Sequence, residues 1–177
     1  MKTQLQSPPK ESPLNIFAHL VQMHFAVTLF LIGLIWIVQM VHYPLMKYVE
    51  PARFVAFEKE HCQRIGPIVA PAMLLEGTLS FLICYQAYSQ QVGIWSLLAS
   101  VSGLVLLGFI WFSTFAVQVP IHNRLSLGFQ ADQIDALVRT NWIRTIAWTL
   151  RGFIAAYFVW VHGTLALGTW GIGMGSP

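Results

Sequence analysis

The stretch Thr140–Arg151, TNWIRTIAWTLR, opens the last long apolar segment of the chain and places two arginines within it. Asn141, Arg144, Trp148 and Arg151 step by three, four and three residues, so on a helix they form one stripe. Ile143, Ile146, Ala147 and Leu150 make up the opposite face. A cation at the centre of a membrane helix costs about 2.5–3.5 kcal/mol on insertion scales, so the stripe must face a partner or a water-filled cavity. Glu76 is the other ionisable group deep in an apolar segment. The two positions together predict a polar pocket inside a membrane protein.

Composition supports the membrane reading. Of 177 residues, 56% are hydrophobic and only 10% are charged. A soluble domain carries about 25% charged residues, and a chain this short cannot bury so much apolar surface internally. The formal charge of +3 is small and scattered, which excludes nucleic acid as a partner. The seven tryptophans and five tyrosines cluster toward segment ends, as interfacial belts require. Cys62 and Cys84 form no metal motif and fall in distant parts of the chain, so no disulfide is expected.

Hydropathy divides the chain into a polar tail (1–15), a membrane domain (16–168) and a Gly-rich tail (169–177), both tails read as loose. Four spans are expected, near 16–41, 65–88, 94–119 and 141–167, giving an all-α, four-transmembrane-helix bundle. Between spans one and two, Pro51 suits a first helical turn. Phe54, Phe57, Glu58 and His61 then share a face, which predicts a short interfacial helix. Pro71 is a candidate kink in span two, and Pro120 is expected to end span three. The run ADQIDALVR reads as an amphipathic turn leading into span four.

Lys2 and Lys10 stand on one side of this arrangement. Lys47, Arg53, Lys59, Arg64, Arg124, Arg139 and Arg144 stand on the other. The positive-inside rule therefore puts both long loops in the cytoplasm and both termini outside, in a membrane of bacterial inner-membrane type.

Glu76 and Arg151 each lie about 11 residues, or roughly 16 Å, past the cytoplasmic start of their spans, so they reach similar depth. They read either as a structural ion pair or as a pocket wall. In the second reading Glu76 moves protons and Arg151 holds an anionic or carbonyl oxygen. His42, His61 and His122 gather at the cytoplasmic mouth. Glu58 and His61 form an E-x-x-H pair of the kind found in carboxylate-bridged di-iron bundles, so Glu58, His61 and His122 are candidate metal ligands. His19, His24 and His162 lie toward the opposite face. Histidines at both sides, with His42 and His122 as candidates, leave a haem site open. Tyr43, Trp36, Trp111, Trp142 and Trp148 either line an aromatic cavity or anchor the interface, the commoner use at span ends. The chain has no phosphate loop, nucleophile elbow, cysteine pair or heptad seam.

The runs STFAVQVPIHNRL (113–125) and TNWIRT (140–145) carry a resemblance. An apolar run ends in Val119-Pro120 with Asn123 after it, and Asn141-x-x-Arg144-Thr145 follows. Pro44-Leu45 closes span one and Pro71 stands near the start of span two. In these features the chain resembles the anthrone-oxygenase-like family of small four-helix membrane proteins. It departs at His122, where Asn is expected, and at Phe57–His61, F-E-x-E-H. The resemblance implies oxygen insertion into an electron-rich polycyclic substrate, without need of a metal, with Asn141, Arg144 and Trp148 positioning substrate oxygens.

The leading expectation is a membrane oxidoreductase-like protein acting on a lipid-soluble aromatic or quinone-like molecule. Its predicted catalytic residues are Glu76, His122, Arg151, Arg144 and Asn141, with Glu76 and His122 as the proton-transfer pair and Arg151 and Arg144 stabilising charge on oxygen. The alternatives are a non-enzymatic accessory or assembly protein with a structural Glu76–Arg151 pair, and a haem or metal electron carrier. The partners implied are the lipid bilayer and a hydrophobic small molecule, with self-association allowed.

Overall fold

The computed structural model describes residues 13–163. Every element among them is helical. Helix α1 (Pro13–Ile37) runs through a π-turn (Val38–His42) into the short α2 (Tyr43–Leu45) and a 3-10 turn (Met46–Tyr48). Helix α3 (Pro51–Ser89) is followed by α4 (Ile94–Ser113), a second π-turn (Thr114–Gln118), α5 (Val119–Leu125) and α6 (Ala131–Phe158). A third π-turn, Val159–Gly163, extends α6. Gly93, at a φ of 107°, makes the turn into α4 that an L side chain would strain.

Among the described residues three helical runs are long and apolar enough to cross a membrane: Ile16–Tyr48, Pro51–Ser89 and Ile94–Leu125. The fourth expected span corresponds to α6, which packs against α1 and α4 but is too polar to meet that standard over its described length. The end of that span beyond residue 163 lies outside the described residues, as does the C-terminal tail. Residues 1–12 of the expected N-terminal tail also lie outside them, while residues 13–15 are already helical.

The separate interfacial helix expected between spans one and two is absent. Its residues are the first half of α3, a single helix of 39 residues. At 1.5 Å per residue α3 is about 58 Å long, roughly twice the hydrocarbon thickness of a bilayer. The helix continues through both Pro67 and Pro71. The turn predicted before span four is likewise continuous with it, as the first turns of α6.

Pro120 does not end the third span, because the helix is rewound ahead of it. A proline cannot donate to the carbonyl four residues back, and its ring crowds that carbonyl. The π-turn Thr114–Gln118 widens the helix over this stretch, and the chain continues as α5. Pro44 is met in the same way by the π-turn Val38–His42, which also ends two residues before its proline.

The interior forms three apolar layers along the bundle. Tyr43, Met46, Phe54, Leu125, Ile134 and Leu137 fill one end. Leu31, Met73, Ile110 and Trp148 fill the middle. Phe17, Val21, Ile83 and Phe158 fill the other end. Meanwhile Phe81, Trp95, Phe112 and Phe153 point outward, each more than 60% exposed, as a lipid-facing surface does. On α6 the sequence stripe is inverted relative to a soluble helix. Asn141, Arg144, Trp148 and Arg151 are buried, while Ile143, Ile146 and Leu150 face out. Ala147, expected on the outer face, is buried in the middle layer.

Phe54 sets a test of the continuous α3. Phe54→Ala should destabilise the detergent-solubilised protein by about 3–5 kcal/mol, whereas Phe81→Ala on the outer face should change stability by no more than about 0.5 kcal/mol. Unfolding midpoints of the two variants check this; equal midpoints would contradict the packing of the first half of α3.

Candidate functional site

Two polar clusters lie between the apolar layers. The first surrounds Glu76, which α3 places fully buried between Met73 and Ile83. Its Oε1 accepts hydrogen bonds from Arg151 Nη2 and from Thr28 Oγ1 (3.3 Å), and lies 3.0 Å from His24 Nε2. Arg151 Nη1 donates to the Gly103 carbonyl and Nη2 to Ser80 Oγ (2.7 Å). The guanidinium also lies 5.6 Å from the centre of the Trp148 ring, a cation–π contact. A cavity of about 20 Å³ beside His24, Ser80, Ser100 and Arg151 has room for about one water.

The second cluster lies nearer the opposite end. Glu58 on α3 is fully buried, and its Oε1 accepts from His122 Nδ1 of α5 at 2.6 Å and from Cys62 Sγ at 3.4 Å. The other ring nitrogen, His122 Nε2, pairs with the Tyr43 hydroxyl at 3.0 Å. The His61 ring stacks on His42 at 4.1 Å and lies 5.5 Å from the His122 ring. Glu58 Oε2 and His42 Nε2 are buried without a hydrogen-bond partner among the described residues.

Between this cluster and the middle layer lies a cavity of about 490 Å³. Leu31, Val69, Met73 and Trp148 are among its apolar walls; Tyr43, His61, Cys62, Gln118, His122 and Arg144 supply its polar groups. Arg144 is 7% exposed. Its Nη1 donates to Asn141 Oδ1 (3.1 Å), and its side chain interacts with Tyr43. Among the described residues no carboxylate pairs with it. Arg144 Nε, Trp111 Nε1 and Gln118 Oε1 are buried and have no hydrogen-bond partner among the described residues. Asn141 does not line the cavity. It donates to Gln39 Oε1 (2.9 Å), whose amide in turn donates to the Val138 carbonyl, holding the π-turn after α1 against α6.

The structure thus brings Glu76 and Arg151 together and places Arg144 on a cavity wall. It does not bring Glu76 to His122. The two residues belong to different clusters, and Glu58 and Glu76 are separated by 18 residues of one helix, about 27 Å. The expected proton-transfer pair is therefore corrected: the carboxylate that meets His122 is Glu58. Nor do Glu76 and Arg151 reach the large cavity. Of the metal set, Glu58 and His122 bond directly, but the third side chain that closes on them is Cys62 rather than His61. Of the haem candidates, His122 has both ring nitrogens engaged, by Glu58 and Tyr43, and the His42 ring is stacked on His61. Tyr43, Trp111 and Trp148 line the cavity, whereas Trp36 and Trp142 pack edge to face on each other at 5.8 Å.

Sequence reasoning missed Cys62, His24 and the role of Tyr43 as a partner of His122. Cys62 was legible as the residue four after Glu58, on the same helical face. His24 carried no such signal. The chain was compared with family models, with curated proteins and with solved structures, and it matches none of them.

Removing one member of the Glu76–Arg151 pair strands the other charge. Arg151→Met should destabilise the protein by about 3–5 kcal/mol, and adding Glu76→Gln should recover part of that loss. Unfolding of both single variants and the double variant measures the coupling; additive losses would mean the two charges do not depend on each other.

Proposed function

We propose that the chain is a four-span membrane protein that binds a lipid-soluble aromatic or quinone-like molecule in the 490 Å³ cavity and acts on it as an oxidoreductase. The volume lies within the range of small-molecule sites, and a mostly apolar wall with a few polar groups suits such a ligand. The observation that carries this reading is Arg144, a buried guanidinium on an apolar cavity wall with no carboxylate partner among the described residues. Such a cation invites a ligand oxygen that carries or develops negative charge, as quinone carbonyls and phenols do. Trp111 and Gln118 also line the cavity, and among the described residues Trp111 Nε1 and Gln118 Oε1 have no hydrogen-bond partner.

In this reading α6 makes the fourth crossing, with its polar stripe turned inward and its isoleucines outward. Oxygen insertion, as in the anthrone-oxygenase-like proteins the chain resembles, is one reaction of this class. A second reading is favoured for one part of the molecule. Glu76 and Arg151 satisfy each other away from the large cavity, so they serve as a structural pair, whether or not the protein is an enzyme.

Trp111 and Trp148 give the cavity its own reporters. A short-chain naphthoquinone should quench the fluorescence of the purified protein saturably. Gly66 lines the cavity, and a Cβ built on it meets nothing within 4 Å, so Gly66→Phe should fill the space without disturbing the fold. Arg144→Met should weaken quinone binding by about tenfold or more, the scale of one charge-assisted hydrogen bond. Saturable quenching that persists unchanged in both variants would place the ligand elsewhere.

A further inference from the structure

Glu58, Cys62 and His122 form a cluster that ligand binding in the cavity does not account for. Glu58 and Cys62 stand one helical turn apart on α3 and present an oxygen and a sulfur on one face. Helix α5 brings His122 Nδ1 to meet them. The three ligand atoms lie within 4.8 Å of one another. This is a cluster of three different donor types, not a group of carboxylates.

Three further observations point to a cation at this place. First, Glu58 is fully buried, and among the described residues its Oε2 has no hydrogen-bond partner and no arginine or lysine pairs with it. A buried carboxylate with an unsatisfied oxygen is expensive unless a positive charge compensates it. Second, the Tyr43 hydroxyl engages His122 Nε2, which orients the ring and leaves Nδ1 as the nitrogen aimed into the cluster. A ligating histidine is commonly fixed through its other nitrogen in this way. Third, His61 packs beside the cluster and stacks on His42, whose buried Nε2 has no partner among the described residues, so additional imidazole nitrogen lies close at hand.

We propose that Glu58, Cys62 and His122 bind one divalent transition-metal ion. The oxygen, sulfur and nitrogen donors select a cation of borderline softness, Zn²⁺ or Fe²⁺, over Mg²⁺ or Ca²⁺. A carboxylate and a thiolate together supply two negative charges, which the ion neutralises. His61, Cys62 and His122 line the large cavity, so the ion lies at its wall, facing the space where a ligand oxygen would sit. This goes beyond the ligand-binding reading and replaces the E-x-x-H pair of the sequence with an E-x-x-x-C pair on the same helix.

The test is metal loading of the full chain, purified from membranes without chelator. About one zinc or iron per chain is expected by elemental analysis. The stripped protein is then titrated with Co²⁺ alone, with no quinone present. The expected spectrum contains visible ligand-field bands and a near-ultraviolet thiolate-to-cobalt band. Cys62→Ser should remove the thiolate band and keep the ligand-field bands, while Glu58→Gln should weaken Co²⁺ binding by about tenfold or more. The wild-type spectrum stands on its own if a variant fails to fold. Absence of Co²⁺ uptake by the wild-type chain overturns the site, and so does a spectrum that Cys62→Ser leaves unchanged. Because no quinone enters the experiment, its failure is separate from failure of the quenching experiment.

Discussion

A buried guanidinium has to be answered by the rest of the protein, and Arg151 is answered by three helices at once. Glu76 and Ser80 come from α3, the Gly103 carbonyl from α4, and Trp148 from the turn before it on α6. His24 and Thr28 of α1 close the far side of Glu76. All four long helices therefore meet around one charge pair, and their relative heights are fixed there. Gly103 lies against the same guanidinium: a Cβ at that position would stand 3.7 Å from Arg151 Nη1, in ordinary contact with it. The pair adds little net stability over a well-packed apolar contact, but it penalises any other register of α6 against α3 by the cost of a stranded charge.

The same reasoning explains which parts of the molecule were legible in its sequence. The stripe Asn141–Arg144–Trp148–Arg151 could be read because helical spacing and the cost of a buried charge both demand an inward face, and all four residues are buried. The partnership of Glu76 with Arg151 followed from equal depth. Helix boundaries were harder, because prolines mark breaks only when nothing compensates them. Pro120 and Pro44 each follow a π-turn that opens the helix ahead of the ring, and the chain continues past both. Pro67 and Pro71 likewise sit inside α3 without ending it. The polar first half of α3 looked like a separate element because its charges suit an interface, yet Phe54 buries it in the first apolar layer.

The polar clusters were legible to different degrees for a related reason. Glu58 and Cys62 share a helix, so their proximity is a matter of spacing. The approach of His122 to Glu58 depends on how α5 leaves the π-turn, which no local pattern encodes. His24 reaches Glu76 only through the packing of α1 on α3, and a single histidine on an apolar helix gives no hint of what it will meet.

Two buried glutamates on one helix end in different circumstances, and this contrast decides where chemistry belongs. Glu76 has a permanent countercharge, two hydroxyls and an imidazole, with room beside it for little more than a water. Its Oε2, like that of Glu58, has no hydrogen-bond partner among the described residues, but the arginine already balances its charge and the space beside it is too small for a substrate. Glu58 is held by an imidazole and a thiol, with no arginine or lysine paired to it among the described residues, and its partners face a cavity large enough for a ligand. Trp148 joins the two regions. It lines the cavity and also meets the Arg151 guanidinium, so the charge pair that sets the helix register also positions part of the pocket wall. A change at Arg151 would therefore reach the cavity through the packing of Trp148, without Arg151 touching any ligand.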